Sequence, residues 1–178
     1  MSLTVGTNTY CSLADAEAYF TLRLNSAAWQ DASEPNKNAA LASACRSMER
    51  LRFIGDPTVN TQALQWPRKG IRTPNNQAVV SSEYPAVLVS AQCEEALALL
   101  TLANDPSFAV RLAVQQQGVV KATNGQASED YGERKTIAGL YSPEAYHLIA
   151  PLLRRDVSYV DLGFSRVPNV PNPGLRLA

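Results

Sequence analysis

"PAVLVSAQCEEALALLTLA", residues 85–103, decides the fold. Val87, Leu88, Val89, Ala91, Cys93, Ala96, Leu97, Leu99, Leu100 and Leu102 place apolar side chains almost all round a helix. A helix of that kind is buried on several sides, so the stretch predicts a central element with others wrapped around it. Pro85 suits its first turn, where a missing N–H costs nothing. Glu94 and Glu95 are expected to mark what exposed side remains.

Two amphipathic segments precede this helix and supply partners for it. In "SLADAEAYF" (12–20), Ser12 and Asp15 have the spacing of a capping box, and Leu13, Ala16, Tyr19 and Phe20 recur at helical spacing. That helix should run to about Leu24. "NSAAWQDASEPN" (25–36) reads as a break, with Trp29 covering the core edge. In "NKNAALASACRSMERLRF" (36–53), Leu41, Ala44, Cys45, Met48 and Leu51 form one stripe, with Asn36 or Asn38 as cap. Gly55, Asp56 and Pro57 then turn the chain.

Beyond the central helix the texture changes. Val110, Leu112 and Val114 alternate with other residues, "VVKAT" is rich in β-branched side chains, and Asn124-Gly125 is a hairpin signal. A β-hairpin or extended excursion is predicted over about 110–136. "SPEAYHLIAPLL" (142–153) predicts a last helix, with Ser142 as N-cap and Pro143 in its first turn. The chain therefore reads as mainly α: a small helical bundle over 1–155, followed by an extended Pro-rich C-terminal arm over 156–178. Pro168, Pro171 and Pro173 exclude a regular helix in the arm. Its apolar and basic residues, Tyr159, Leu162, Phe164, Arg166, Val167, Leu175, Arg176 and Leu177, are candidates for partner binding. The arm could instead pack on its own domain, and both readings stand.

Composition narrows the function. The 178 residues carry 16 Lys plus Arg against 16 Asp plus Glu, a formal charge of zero, which counts against a dedicated nucleic-acid binder. No uninterrupted apolar run is long enough to cross a bilayer, and "MSLTVGTNTY" has neither the basic start nor the apolar core of a signal peptide. A protein made in the cytoplasm is expected. Cys11, Cys45 and Cys93 lie far apart in sequence, with no Cys-x-x-Cys pair, so no metal and no cofactor are expected, and the thiols of Cys45 and Cys93, within apolar helical patterns, read as small core residues. A single histidine, His147, sits in a helical pattern, and nucleophile, P-loop and zinc-protease motifs are missing; no catalytic residue is assigned. Glu129, Asp130 and Glu133 lack the spacing of a calcium loop.

Charge is nonetheless uneven. Residues 46–72 hold a candidate basic patch, Arg46, Arg50, Arg68, Lys69 and Arg72, facing DNA or a partner. Within it lies "QALQWPRKGI" (62–71), expected to form a short helical turn stopped by Pro67. Trp66 and Pro67 are read as a structural anchor on the bundle. The alternative is an exposed Trp66 stacking bases beside the basic residues.

The segments "TYCSLADAEAYF" (9–20), "ACRSMERLRFIG" (44–55), "QALQWPRKGI" and "YPAVLVSAQCEEALALL" (84–100) together resemble one family of small tailed-phage proteins. These are often labelled DnaT-like single-stranded DNA-binding proteins, and they are similar in pattern and size to head–tail adaptor, or head-completion, proteins of the virion neck. The resemblance spans roughly 9–155, rests on no catalytic signature and leaves the arm unmatched. It implies a structural virion protein, a connector ring between portal and tail. The implied partners are about twelve copies of itself in a closed ring, the portal protein, a tail-completion or tail-terminator protein, and genomic DNA passing non-specifically through the lumen, with no membrane. The family label implies the alternative, single-stranded DNA binding in phage or host replication.

Overall fold

The computed structural model describes residues 2–72, 78, 84–105, 107, 121–124, 127–130 and 139–154. The arm residues named above therefore lie outside the described residues, as do Val110, Leu112, Val114 and Glu133.

The described elements are mainly helical: α1 (Leu13–Thr21), α2 (Ala27–Gln30), α3 (Glu34–Met48), α4 (Ala86–Asn104) and α5 (Pro143–Ile149). Two short antiparallel pairs accompany them, β1 (Asp56–Pro57) with β2 (Arg68–Lys69) and β3 (Lys121–Asn124) with β4 (Ala127–Asp130). In the second pair Asn124 faces Ala127, within the span expected to hold a hairpin.

The capping box at Ser12 is present: its hydroxyl accepts from Asp15 N–H and the Asp15 carboxylate accepts from Ser12 N–H, although α1 stops at Thr21, short of Leu24. α3 begins two residues earlier than expected, with Ser33 at the N-cap and Pro35 in the first turn, so neither Asn36 nor Asn38 caps it. Ser142 caps α5 through Ala145 N–H. The chain bends at 63–65, and 62–66 form no helical turn.

α4 packs against α3 and α5 and divides the core in two. Leu88 and Ala91, in its first half, join Tyr10, Cys45, Met48, Phe53, Trp66, Ile149 and Leu152. Cys93, Ala96, Leu97 and Leu100 join Cys11, Ala16, Phe20, Trp29, Leu41 and Ala44. Trp29 stacks on Phe20 with ring centroids 4.4 Å apart, well inside the core and not at its edge. All three cysteines are free and buried.

By length and composition alone α4 could cross a membrane, which the reading of the apolar runs missed. What it packs against makes it a core helix. Its polar run, Gln92 to Glu95, is buried, and Glu94 and Glu95 do not mark an exposed side. The Gln92 amide accepts from Tyr10 N–H at 2.9 Å and donates to Thr9 Oγ1 and the Leu41 carbonyl. Glu94 accepts from Tyr19 Oη and Arg23 Nε, both at 2.6 Å. Glu95, 0% exposed, accepts from the backbone N–H groups of Tyr141 and Ser142. Each contact ties a different segment to the helix, and each satisfies a polar group that would be costly to bury alone.

The two carboxylates respond to pH with opposite signs. Burial works to raise the Glu94 carboxyl, but the hydrogen bonds from Arg23 and Tyr19 outweigh it and hold it below its ordinary value of 4.5. Its stabilisation is therefore complete above about pH 4.5 and is lost as the pH falls through its lowered pKa. Burial raises the Glu95 carboxyl, against the lowering effect of its two N–H donors, so its contribution weakens as the pH rises above 4.5. A Glu94→Gln variant is expected to melt at a lower temperature than wild type at pH 7 and to show a shallower fall in melting temperature below pH 4.5. Calorimetry across pH 3 to 7 checks it; parallel curves for the two proteins would contradict the assignment.

Candidate nucleic-acid interface

The C-terminal end of α3 leads into a compact turn that carries most of the candidate basic residues. Glu49 follows α3 and acts as its cap. Its carboxylate accepts from Gln65 N–H at 3.0 Å and from Tyr10 Oη, and the Gln65 amide donates back to the carbonyls of Glu49 and Leu51. This lays residues 62–66 against 49–51. Trp66, 1% exposed, then reaches the core and meets Phe53 edge-on at 5.7 Å, and the peptide to Pro67 is cis. An interior indole offers no face to a nucleotide base, so the stacking platform has no structural footing here.

Arg68 also turns inward. It is 6% exposed, and its guanidinium donates to the carbonyls of Ile54 at 2.8 Å, Gly55 at 2.6 Å, Gln65 at 3.2 Å and Phe53 at 3.4 Å. It must be removed from the DNA-facing patch: a fork of five N–H donors satisfies backbone carbonyls that the tight turn leaves unpaired. Burial, followed by repulsion from Arg154, lowers its pKa, which places Arg154 close by. Gly55 permits the approach. Its φ is +71°, and a Cβ there would lie 2.5 Å from the Lys69 carbonyl oxygen.

Around this interior clamp the other cations face solvent. Arg50, Arg52, Lys69 and Arg154 are all exposed. Backbone pairing brings their three segments together: Arg154 N–H donates to the Arg52 carbonyl at 2.8 Å, Ile54 N–H to the Leu152 carbonyl at 2.9 Å, and Asp56 pairs with Lys69 across β1–β2. Arg46, in the last turn of α3 and four residues before Arg50, is exposed and donates to Ser43 Oγ at 2.9 Å; Arg72 is exposed just beyond β2. Arg52 and Arg154 extend the candidate patch. Their signal in the sequence is only that both are basic, because the pairing of 52–54 with 152–154 joins positions about a hundred residues apart.

Two grooves lie elsewhere. One, of about 200 Å³, is bounded by Asn8, Asn38, Ser43 and Arg46; the other, of about 530 Å³, runs between α3 and the end of α4. Among the described residues no group of three or more His, Cys, Asp or Glu side chains is arranged to hold a metal ion. His147 is exposed on α5, its ring 6.0 Å from that of Tyr146.

The family described as "Putative DnaT-like ssDNA binding protein" matches residues 2–166, nearly the whole chain, and the chain belongs to that family. No curated protein and no solved structure matches it.

The inward Arg68 and the outward Lys69 should separate cleanly on mutation. Arg68→Ala strands several carbonyls and is expected to cost about 1.5–3 kcal/mol, whereas Lys69→Ala should stay within about 0.5 kcal/mol of wild type. Urea unfolding of the two variants measures the difference, and equal stabilities would show that Arg68 does not clamp the turn.

Proposed function

We propose that the protein binds single-stranded DNA through the phosphate backbone, without reading base sequence, along the edge formed by Arg50, Arg52, Lys69 and Arg154, with Arg46 and Arg72 on either side. The observation that carries this is the convergence of exposed cations from three separate segments, held by backbone pairing. The zero formal charge does not oppose it. Glu49, Glu94 and Glu95 are spent on internal hydrogen bonds, which leaves Asp56, exposed across from Lys69, as the acidic residue within this edge. Family membership supports a single strand as the ligand.

A structural role in a virion neck, as a ring between portal and tail with DNA in its lumen, is the second reading. The observation favouring it is that both tryptophans are buried. Binders of single strands commonly stack bases on aromatic side chains, whereas a lumen needs only a cationic wall. The virion location, and a portal and tail protein as partners, belong to this reading.

Fluorescence anisotropy with single- and double-stranded oligonucleotides of equal length distinguishes them. With four phosphate contacts to a single strand, the salt slope is about −2.8, so affinity should fall about fiftyfold between ~50 and ~200 mM salt. Arg50→Glu, Lys69→Glu and Arg154→Glu combined should abolish binding without lowering the melting temperature. Unchanged binding by this variant would refute the interface. Equal affinity for duplex and single strand, with a ring seen by negative-stain microscopy when portal is added, would favour the neck.

A further inference from the structure

We infer that the turn Leu22–Asn25 of one copy docks in the α3–α4 groove of a second copy of this chain. The contact lies apart from the cationic edge and is independent of DNA.

Leu22 and Leu24 are 91% and 81% exposed, far more than the other exposed large apolar residues, Val5, Val59 and Val87, at 40–55%. Such exposure on a floppy loop would mean little, but this turn is held. The Arg23 guanidinium, between the two leucines, bonds both oxygens of the buried Glu94 carboxylate at 2.6 and 3.2 Å and also donates to the Leu24 carbonyl. Leu22 N–H and Arg23 N–H donate back to the Tyr19 and Phe20 carbonyls, and Ser26 Oγ donates to the Arg23 carbonyl. Asn25 closes the turn at a φ of 57°, a left-handed conformation that asparagine tolerates. The two leucines are therefore presented in a fixed pose, with the ordering cost of docking already met in the free chain.

The groove has the complementary character. Its volume is about 530 Å³, and Ala39, Ala40 and Ala103 line it beside Leu99 and Leu100, so small side chains leave room for larger ones to enter. The one charged residue lining it is acidic, Asp31. The one charged residue of the turn is basic, and a third of the Arg23 side chain remains exposed despite its pairing with Glu94. Opposite charges thus accompany the apolar match. The exposure of the leucines shows that they do not enter the groove of their own chain. Turn and groove are different surfaces, so the docking we infer is head-to-tail, each contact leaving one turn and one groove for further copies; a reciprocal two-fold pairing would instead stop at the dimer.

The test is mass photometry of the full chain over a concentration series. Wild type is expected to form dimers and then larger species. Leu22→Asp/Leu24→Asp, or Leu22→Ser/Leu24→Ser should the aspartates lower the melting temperature, should shift association at least tenfold higher in concentration. Ala39→Arg/Ala103→Arg, both at exposed helix positions, should do the same. An equimolar mixture of turn and groove variants should yield dimers and nothing larger. A monomeric wild type, variants that associate as wild type does, or a mixture without dimers would each overturn the proposal.

Discussion

The structure depends on four consecutive residues of α4. Gln92, Cys93, Glu94 and Glu95 sit in the middle of an otherwise apolar helix, and all four are buried. Gln92 fixes the N-terminal segment and α3, Glu94 fixes α1 and the turn after it, and Glu95 fixes the approach to α5. Apolar burial alone would hold these elements against α4 without specifying their register, because hydrophobic contact is non-directional. Directional acceptors at fixed positions specify it. Cys93 lies beside Cys11 in the same interior, where its hydrogen bond with Cys11 and its burial hold its thiol well above the ordinary thiol range. That thiol therefore remains protonated and acts as packing, not as a nucleophile.

This use of charge also explains how a neutral protein comes to present a basic edge. The carboxylates of Glu49, just after α3, and of Glu94 and Glu95 on α4 accept hydrogen bonds inside the fold, whereas the arginines and the lysine around the β1–β2 turn remain outside, with Arg68 the exception that builds the turn. Formal charge measures the chain; a ligand meets only the surface. The same economy links fold to function at Arg23, which satisfies Glu94 and, in doing so, sets the pose of the two exposed leucines.

Much of the fold was legible because it rests on local rules. The central helix followed from apolar residues on every side, the Ser12 and Ser142 caps from their spacing, and the hairpin span from β-branched residues beside Asn124. What was misread depended on contacts distant in sequence. Glu94 and Glu95 are polar, so pattern alone assigns them to solvent; only the approach of Arg23 and of residues 141–142 makes their burial tolerable. Sequence proximity groups Arg68 with Lys69 as a surface cation, although the strand places adjacent side chains on opposite faces. The helical turn expected at 62–66 gave way to the Gln65–Glu49 and Trp66–Phe53 contacts, which pull that segment into another shape.

The central claim is that cations gathered around a buried Arg68 form the surface that meets DNA. Hydrogen exchange of the full chain with and without a single-stranded oligonucleotide tests it most directly, because it reports the footprint segment by segment. The account predicts added protection in 50–56, 68–72 and 150–154, and none in 13–40. Protection confined to 13–40, or none anywhere under conditions where the oligonucleotide is bound, would contradict it.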